Sequence, residues 1–210
     1  MIRVLLADDH AVVRKGLREI LTEEFPDITI DEASTGQETF HKVQKKEYEL
    51  VILDIKMPGR SGLDVLGDIK AICPKTKVLM LSMFPEKEYA IQALRGGAIG
   101  YLVKDSDLTE LIEATRTALS GKRYVGREFG RELAEMVAKG KEEVAHTSLS
   151  NREFEILCMI GAGKKPKAIA EELYLGQSTV YTYRLRILKK LRLKTDTELV
   201  RYVLEHKLLG

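Results

Sequence analysis

The sequence predicts an α/β domain with a parallel sheet, followed by a smaller all-helical domain. Through the first 120 residues, short apolar runs alternate with amphipathic stretches, whereas beyond Thr147 only helical patterns occur. The charge divides in the same way, because residues 1–140 carry 21 Lys and Arg against 23 Asp and Glu, and residues 141–210 carry 13 against 9. With 44% hydrophobic and 31% charged residues, the composition is that of a globular chain and excludes a disordered or fibrous one.

The first domain is predicted to contain five strand–helix units. Its strands are short and apolar throughout, which is typical of a parallel sheet covered by helices on both faces. Each strand is followed by a stretch with apolar residues at helical spacing. The predicted strands are 2–7, 28–33, 50–53, 78–81 and 101–103, and the predicted helices are 12–21, 38–44, 63–72, 88–94 and 107–119.

The rest of the chain is predicted as a linker and a domain of four helices. We place the first domain at 1–121, the linker at 122–146 and the second domain at 147–210. Residues 127–138 have apolar residues at helical spacing, which predicts that part of the linker is a helix, either packed on a domain or second subunit or solvated. The four helices of the second domain are predicted at 150–160, 166–174, 178–191 and 197–207.

Polar side chains follow four of the five predicted strands. Asp8 and Asp9 follow the first strand, Asp54 the third, Ser82 the fourth and Lys104 the fifth. An Asp or Ser after a strand is often only a helix N-cap, but the carboxyl ends of parallel strands are also where such sheets bind ligands. Three carboxylates gathered there repel one another, and a hard divalent cation such as Mg²⁺ offsets that repulsion. The sequence therefore predicts a magnesium site at this edge.

Asp54 is the predicted nucleophile of this cluster. It stands alone after the most apolar strand, and residues 57–59 (MPG) predict a tight turn that exposes its carboxylate. In a phosphoryl transfer to Asp54, the metal and Lys104 would neutralise phosphoryl oxygens while the hydroxyl of Ser82 donates a hydrogen bond. The residues alone are compatible with a phosphorylation switch or with an aspartyl phosphatase.

Five ordered segments of this domain resemble the receiver domain of bacterial two-component response regulators. They are LLADDH at 5–10, LDIKMPG at 53–59, SGLD at 61–64, VLMLS at 78–82 and GGAIGYLVKD at 96–105. The resemblance implies a flavodoxin-like fold in which a histidine kinase phosphorylates Asp54. It also implies that Mg²⁺ is held by Asp9, Asp54 and the backbone carbonyl of Lys56, with Asp8 reaching the metal through water.

The same resemblance assigns a switch to the receiver. Ser82 and Tyr101 would form the switch pair, in which the hydroxyl moves toward the phosphoryl group and the ring turns inward. Lys56 and Phe84, each two positions after an active-site residue, would govern water access to the aspartyl phosphate. An aspartyl phosphatase usually has a second carboxylate where this chain has Lys56, so turnover is not expected. A receiver that regulates without being phosphorylated is the other alternative.

The third predicted helix of the second domain has an unusual charge pattern. Between residues 177 and 194 there are six bases and no acid, which indicates an anionic partner, although a solvated basic face is the alternative. The predicted apolar seam consists of Val180, Leu185, Leu188 and Leu191. The face that this seam leaves exposed carries Thr179, Thr182, Tyr183, Arg186, Lys189 and Lys190. In a helix-turn-helix arrangement, such a helix fits the major groove of double-stranded DNA.

Four segments of this domain resemble the LuxR-type DNA-binding domain. They are LSNREFEIL at 149–157, KAIAEEL at 167–173, STV at 178–180 and LKKL at 188–191. With the receiver, they identify the chain as a member of the NarL/FixJ class of response regulators, which implies a DNA-binding transcription regulator, not an enzyme, that forms a homodimer when active. The resemblance adds Lys167, Ser178 and Tyr181 to the expected DNA contacts. Tyr181 and Tyr183 stand where Lys and His are common, so no particular DNA site is implied.

The sequence predicts a cytoplasmic protein without a membrane span. Its longest apolar stretches reach only about half of the roughly 18 residues that a bilayer-spanning helix needs. The first apolar run is followed at once by Asp8 and Asp9, unlike a secretory signal. Cys73 and Cys158 lie far apart in apolar segments, which predicts reduced, core-filling thiols.

Overall fold

The computed structural model describes residues 2–83, 86–126, 129–131, 145–206 and 208–209. The chain divides into two compact units, Met1–Arg131 and Glu132–Gly210. The first unit therefore includes residues 122–131, which the sequence analysis assigned to the linker. Most of the predicted linker helix at 127–138 lies outside the described residues, and residues 129–131 are helical. A separate linker at 122–146 stays a prediction.

The first unit alternates strands with helices, as the sequence predicts. Its strands are β1 (Ile2–Ala7), β2 (Ile28–Ala33), β3 (Leu50–Leu53), β4 (Lys77–Ser82), β5 (Gly100–Val103) and β6 (Tyr124–Val125). Its helices are α1 (Ala11–Glu24), α2 (Gly36–Lys45), α3 (Gly62–Ile72), α4 (Glu86–Arg95) and α5 (Leu108–Leu119). The strands form one parallel sheet in the order β2-β1-β3-β4-β5-β6.

Both faces of this sheet are buried at its central strands. Alternate residues of β1, β3, β4 and β5 form one core cluster with α1 and α5, and the residues between them are also buried. Side-chain caps fix where helices begin: Thr35 caps α2, Ser61 caps α3 and Asp107 caps α5. The predicted parallel α/β architecture is confirmed.

A sixth strand extends the sheet beyond the predicted five. In β6, Tyr124 pairs with Gly100 and Val125 pairs with Tyr101. The Tyr124 hydroxyl donates to Glu110 Oε1 of α5 at 2.9 Å, which holds the strand against the sheet. A strand of two residues has no periodicity, so the sequence pattern could not reveal it.

The second unit is all-helical in its described part, as predicted. A 3₁₀ turn (Ala145–Ser148) precedes α6 (Asn151–Gly161), α7 (Pro166–Glu172), α8 (Gln177–Leu191) and α9 (Asp196–Glu205). Capping boxes begin two of these helices, formed by Ser150 with Glu153 in α6 and by Thr195 with Glu198 in α9. The core of this unit includes Phe154, Leu157, Ile169, Val180, Ile187, Leu199 and Val203. Cys73 and Cys158 are not joined in a disulfide.

The close packing of α6 on α9 predicts a destabilising substitution. A methyl group at Gly161 would lie 2.4 Å from Val203 Cγ1 and 2.8 Å from its Cβ. We expect Gly161→Ala to lower the free energy of unfolding of the second unit by about 1–3 kcal/mol, because overpacking forces the helices apart. Gly67→Ala is the matched control, since nothing lies within 4 Å of its added methyl; it should stabilise α3 by up to about 1 kcal/mol. Urea unfolding measures both, and equal effects would contradict the packing argument.

Candidate functional site

The carboxyl edge of the sheet brings the predicted polar residues together. Strands β1, β3, β4 and β5 are consecutive neighbours, so Asp8, Asp54, Ser82 and Lys104 lie side by side. Backbone hydrogen bonds continue the ladder to this edge, from Asp54 N to Ala7 O and from Lys104 N to Ser82 O, both at 2.8 Å. The side chains of Asp8, Asp54 and Lys104 and the whole of Ser82 are buried.

Lys104 joins the two buried carboxylates. Its Nζ lies 2.7 Å from Asp54 Oδ2 and 2.6 Å from Asp8 Oδ2. Burial by itself would lower the pKa of Lys104, but these two carboxylates raise it above its usual value. Lys104 is therefore a firmly charged cation between two acids.

The charge of Lys104 does not fully offset the cost of keeping Asp54 ionised in this buried position. Burial raises the pKa of Asp54 from 3.8 to about 6, Lys104 acts against this shift, and the charge of Asp8 adds to it. The backbone N–H of Lys56 donates to Asp54 Oδ1 at 3.3 Å. A carboxylate in this position gains stability from any further cation.

The cluster has the composition of a metal site. One ligand atom each from Asp8, Asp9, His10 and Asp54 all lie within 4.8 Å of one another. Three carboxylates beside one ammonium leave a net charge of about −2 when His10 is neutral, which a divalent cation would balance. Carboxylate oxygens are the ligands that Mg²⁺ and similar hard cations prefer, so the residues fit such an ion.

Three contributors to this site escaped the sequence analysis. His10 Nδ1 lies 2.8 Å from Asp9 Oδ1 and 3.2 Å from Asp8 Oδ1, although His10 drew notice only as part of a motif. Arg14 Nη1 donates to the Asp8 carbonyl at 2.6 Å, which fixes the loop after β1. A methyl group at Gly62 would lie 1.9 Å from the carbonyl oxygen of Asp54, so only glycine permits this approach. The closeness of His10 to the aspartate pair was a usable signal, whereas the other two contacts depend on the fold.

The predicted switch residues are both in the interior. Ser82 is fully buried and Tyr101 is 1% exposed, with its ring among the core residues of the first unit. The backbone of Tyr101 pairs with Met80 of β4 and with Val125 of β6. Phe84, the second residue expected to control water access, lies outside the described residues.

The basic helix is α8, and its buried face differs from the predicted seam in one residue. Val180, Ile187, Leu188 and Leu191 face the core, whereas Leu185 is 61% exposed. The assignment of Leu185 to the apolar seam was wrong, because it lies five residues after Val180, about 140° around the helix. Ile187, seven residues after Val180, takes its place.

Most of the residues predicted to contact DNA lie on the exposed side of α8. A shallow groove there is lined by Ser178, Thr179, Thr182, Tyr183 and Arg186. The Arg186 guanidinium lies 5.7 Å from the centre of the Tyr183 ring, which holds both side chains at this surface. Tyr181 and Lys189 are also exposed on α8, and Lys167 is exposed on α7.

Like Arg184, whose Nε lies 2.5 Å from Asp196 Oδ1 at the start of α9, Lys190 has a charge that is already paired within the unit. Its Nζ lies 2.6 Å from Glu153 Oε2 and donates to the Ser148 carbonyl at 3.2 Å. Burial alone would raise the pKa of Glu153, but Lys190 and Ser150 bring it below its usual value. Lys190 therefore braces α8 against the start of α6, and less of its charge is available to a ligand.

The described residues include no helix that combines the length and the apolar character needed to cross a bilayer. Each of the two units matches a known protein family. Residues 4–116 match the response regulator receiver domain, and residues 147–203 match the bacterial regulatory proteins of the luxR family. The two matches follow one another in the order that the sequence resemblances predict.

Known proteins are similar to this chain along its whole length. The oxygen regulatory protein NreC of Staphylococcus aureus is 38% identical over 214 residues, covering 99% of each chain. The response regulator ChrA of a heme-sensing two-component system is 32% identical, with a TM-score of 0.52 over 99% of this chain and 98% of that one.

RcsB from Salmonella enterica serovar Typhimurium, in a structure bound to the promoter rprA, has a TM-score of 0.65 over 97% of this chain and 98% of that one. At 23% identity this likeness supports the fold alone. The family matches and the similarity to NreC confirm the predicted family. The chain belongs to the NarL/FixJ class of response regulators, in which a receiver domain is joined to a LuxR-type DNA-binding domain, and it is a transcription regulator of a two-component system and not an enzyme.

Proposed function

We propose that Asp54 accepts a phosphoryl group from a histidine kinase and that this reaction controls the binding of α8 to double-stranded DNA. The observation that carries the proposal is the contact of Lys104 with both Asp54 and Asp8 in a pocket that keeps a net negative charge. In the transfer, an Asp54 oxygen forms a bond to phosphorus while the bond from phosphorus to the histidine nitrogen breaks. The electron pair of that bond stays on the nitrogen.

Each residue of the pocket has a distinct task in this reaction. Asp8, Asp9, Asp54 and the carbonyl of Lys56 would hold Mg²⁺, which supplies charge neutralisation to the phosphoryl oxygens. The ammonium of Lys104 would pair with a phosphoryl oxygen once Asp54 is phosphorylated. The Ser82 hydroxyl would move toward the phosphoryl group and donate a hydrogen bond to another of its oxygens. Together with an inward turn of the Tyr101 ring, this movement would form the switch.

Exposed apolar side chains at the same edge support a protein partner as the phosphodonor. Val12 near the start of α1, Met83 after β4 and Leu108 at the start of α5 are all exposed. We propose that the kinase contacts these side chains when its histidine approaches Asp54. The regulator would work in the cytoplasm, where DNA and such a kinase domain meet.

The DNA surface that we propose consists of Lys167 on α7 and the exposed side of α8. Its α8 members are Ser178, Thr179, Tyr181, Thr182, Tyr183, Arg186, Lys189 and, at the edge, Lys190. The hydroxyl groups of these side chains would contact the edges of nucleobases and phosphates, while the Lys and Arg side chains would neutralise phosphates. A homodimer would present two such helices. A coupling free energy of about 1–3 kcal/mol between phosphorylation of Asp54 and DNA binding would change the affinity for DNA roughly 5- to 150-fold.

Phosphorylation of Asp54 can be tested by mass spectrometry. Incubation of the full chain with acetyl phosphate and Mg²⁺ should add one phosphoryl group, and Asp54→Ala should abolish the addition. Asp105→Asn is the matched control, because this aspartate lies at the same edge but is exposed, and it should keep the modification. Rapid multiple turnover would indicate a phosphatase, and no modification under any condition would favour regulation without phosphorylation.

The raised pKa of Asp54 predicts how stability depends on pH in metal-free buffer. Because the folded pKa of about 6 lies above the unfolded value of 3.8, the folded state binds the extra proton and loses stability as pH rises from 4 to 6. Asp54→Asn avoids this loss, so it should raise the free energy of unfolding at pH 8 by up to about 3 kcal/mol, and by less at pH 5.

Urea unfolding with a chelator measures this difference, with Asp105→Asn as control. Magnesium should stabilise the wild-type chain more than Asp54→Asn, because the variant has lost one ligand. An equal effect of Asp54→Asn at the two pH values would contradict the raised pKa.

Salt dependence tests the DNA surface. If about six phosphates are contacted, affinity should fall about 10³-fold or more between 50 and 200 mM salt. Arg186→Ala and Lys189→Ala should each weaken binding and reduce the slope of log K against log salt by about 1. Lys15→Ala, in the receiver, is the control and should leave the slope unchanged. Binding that does not vary with salt would exclude α8 as a phosphate contact.

A further inference from the structure

Leu185 is the exception in the surface of α8. Its side chain is 61% exposed, although leucine is among the residues most often buried. The core face of the helix is complete without it, because Val180, Ile187, Leu188 and Leu191 are buried there. The apolar surface of Leu185 therefore contributes little to the folding of the described unit.

Leu185 lies near the middle of the length of α8 and is exposed on its outward side. Helical spacing places Ser178, Thr182, Leu185 and Lys189 in one row. Tyr181, one turn before Leu185, is 51% exposed and lengthens the apolar strip. Leu185 and Tyr181 thus form an apolar strip beside the hydroxyl groups of Ser178 and Thr182 and the ammonium group of Lys189. This strip lies at the surface proposed to face DNA.

Charge indicates what covers this strip. Residues 177–194 contain six bases and no acid. Arg184 and Lys190 are paired with acids outside this segment, but the exposed Arg186 and Lys189 keep the outward side positive, so the surface favours a polyanion. Within the major groove of a DNA duplex, the C5 methyl group of thymine is the apolar feature that a side chain can contact. A leucine at the centre of a basic helix is complementary to that methyl group, whereas a phosphate or a cytosine amino group would leave it without a suitable contact.

We propose that Leu185, extended by Tyr181, contacts thymine methyl groups and so determines part of the DNA sequence that the regulator selects. The inference deepens the proposed DNA binding by α8 and rests on it. Burial of one methyl group against Leu185 corresponds to about a fourfold gain in affinity for thymine over the same base without its methyl.

Uracil substitution isolates this contact. The full chain, treated with acetyl phosphate and Mg²⁺, is first used to select duplexes from a random pool. Each thymine of the selected site is then replaced by uracil, which keeps the hydrogen-bonding edge and lacks only the methyl group. We expect at least one position in each half-site where the Kd rises about fourfold.

Two variants assign the effect to its residue. Leu185→Ala should bind thymine and uracil equally at that position, while its fold is preserved because the side chain is exposed. Leu204→Ala is the matched control, because Leu204 is also 61% exposed but lies on α9, and it should keep the preference for thymine.

The outcomes separate this inference from the function on which it rests. A selected site without a constant thymine, a site insensitive to uracil, or a preference for thymine that survives Leu185→Ala would each overturn the inference while leaving DNA binding intact. Failure to bind any duplex would instead remove the proposed function, and the inference with it.

Discussion

The bridge that Lys104 forms between Asp8 and Asp54 is the interaction on which the receiver site depends. Two ionised carboxylates about 4 Å apart repel by up to about 4 kcal/mol at an effective dielectric constant of 20, and burial adds a desolvation cost. One ammonium within 2.7 Å of both offsets much of this. It does not offset all of it, because the pKa of Asp54 stays raised and Asp9 adds a further charge. The receiver can therefore fold with this pocket in place, and the charge that remains in the pocket still favours binding of a cation.

The order of the strands explains how distant residues build this pocket. Asp8 and Lys104 are separated by most of the receiver, yet their strands lie on either side of β3 and β4 in a sheet of fixed order. The same ladder reaches past the site, since Tyr101 in β5 pairs with Val125 in β6. In sequence, β6 is the last strand described in the first unit, so the predicted switch residue and the end of that unit's sheet share one hydrogen-bonded ladder.

Patterns of neighbouring residues predicted the parts of this structure that short-range physics determines. The apolar strands imply a covered parallel sheet, and the strand ends then imply the cluster of Asp8, Asp54 and Lys104. The failures involve partners far along the chain or the phase of a helix. The pairing of Lys190 with Glu153 spans 37 residues and is invisible in a local count of charges. Leu185 was assigned to the core because it is apolar, although only the helical phase decides which side it occupies.

The corrected phase of α8 changes how its residues divide their work. In the proposed complex, basic side chains such as Arg186 and Lys189 would attract any nucleic acid. That attraction to phosphates would set affinity and not the choice of DNA sequence. Selection of a DNA sequence would require contacts that differ between nucleobases. Hydroxyl and apolar side chains near the middle of the helix are suited to such contacts. Lys190, held by Glu153, instead anchors the helix whose outward side carries both kinds of residue. A fixed helix is what would allow side chains as small as Thr182 and Leu185 to discriminate between nucleobases in the proposed complex, because small contacts lose their value when the element that bears them moves.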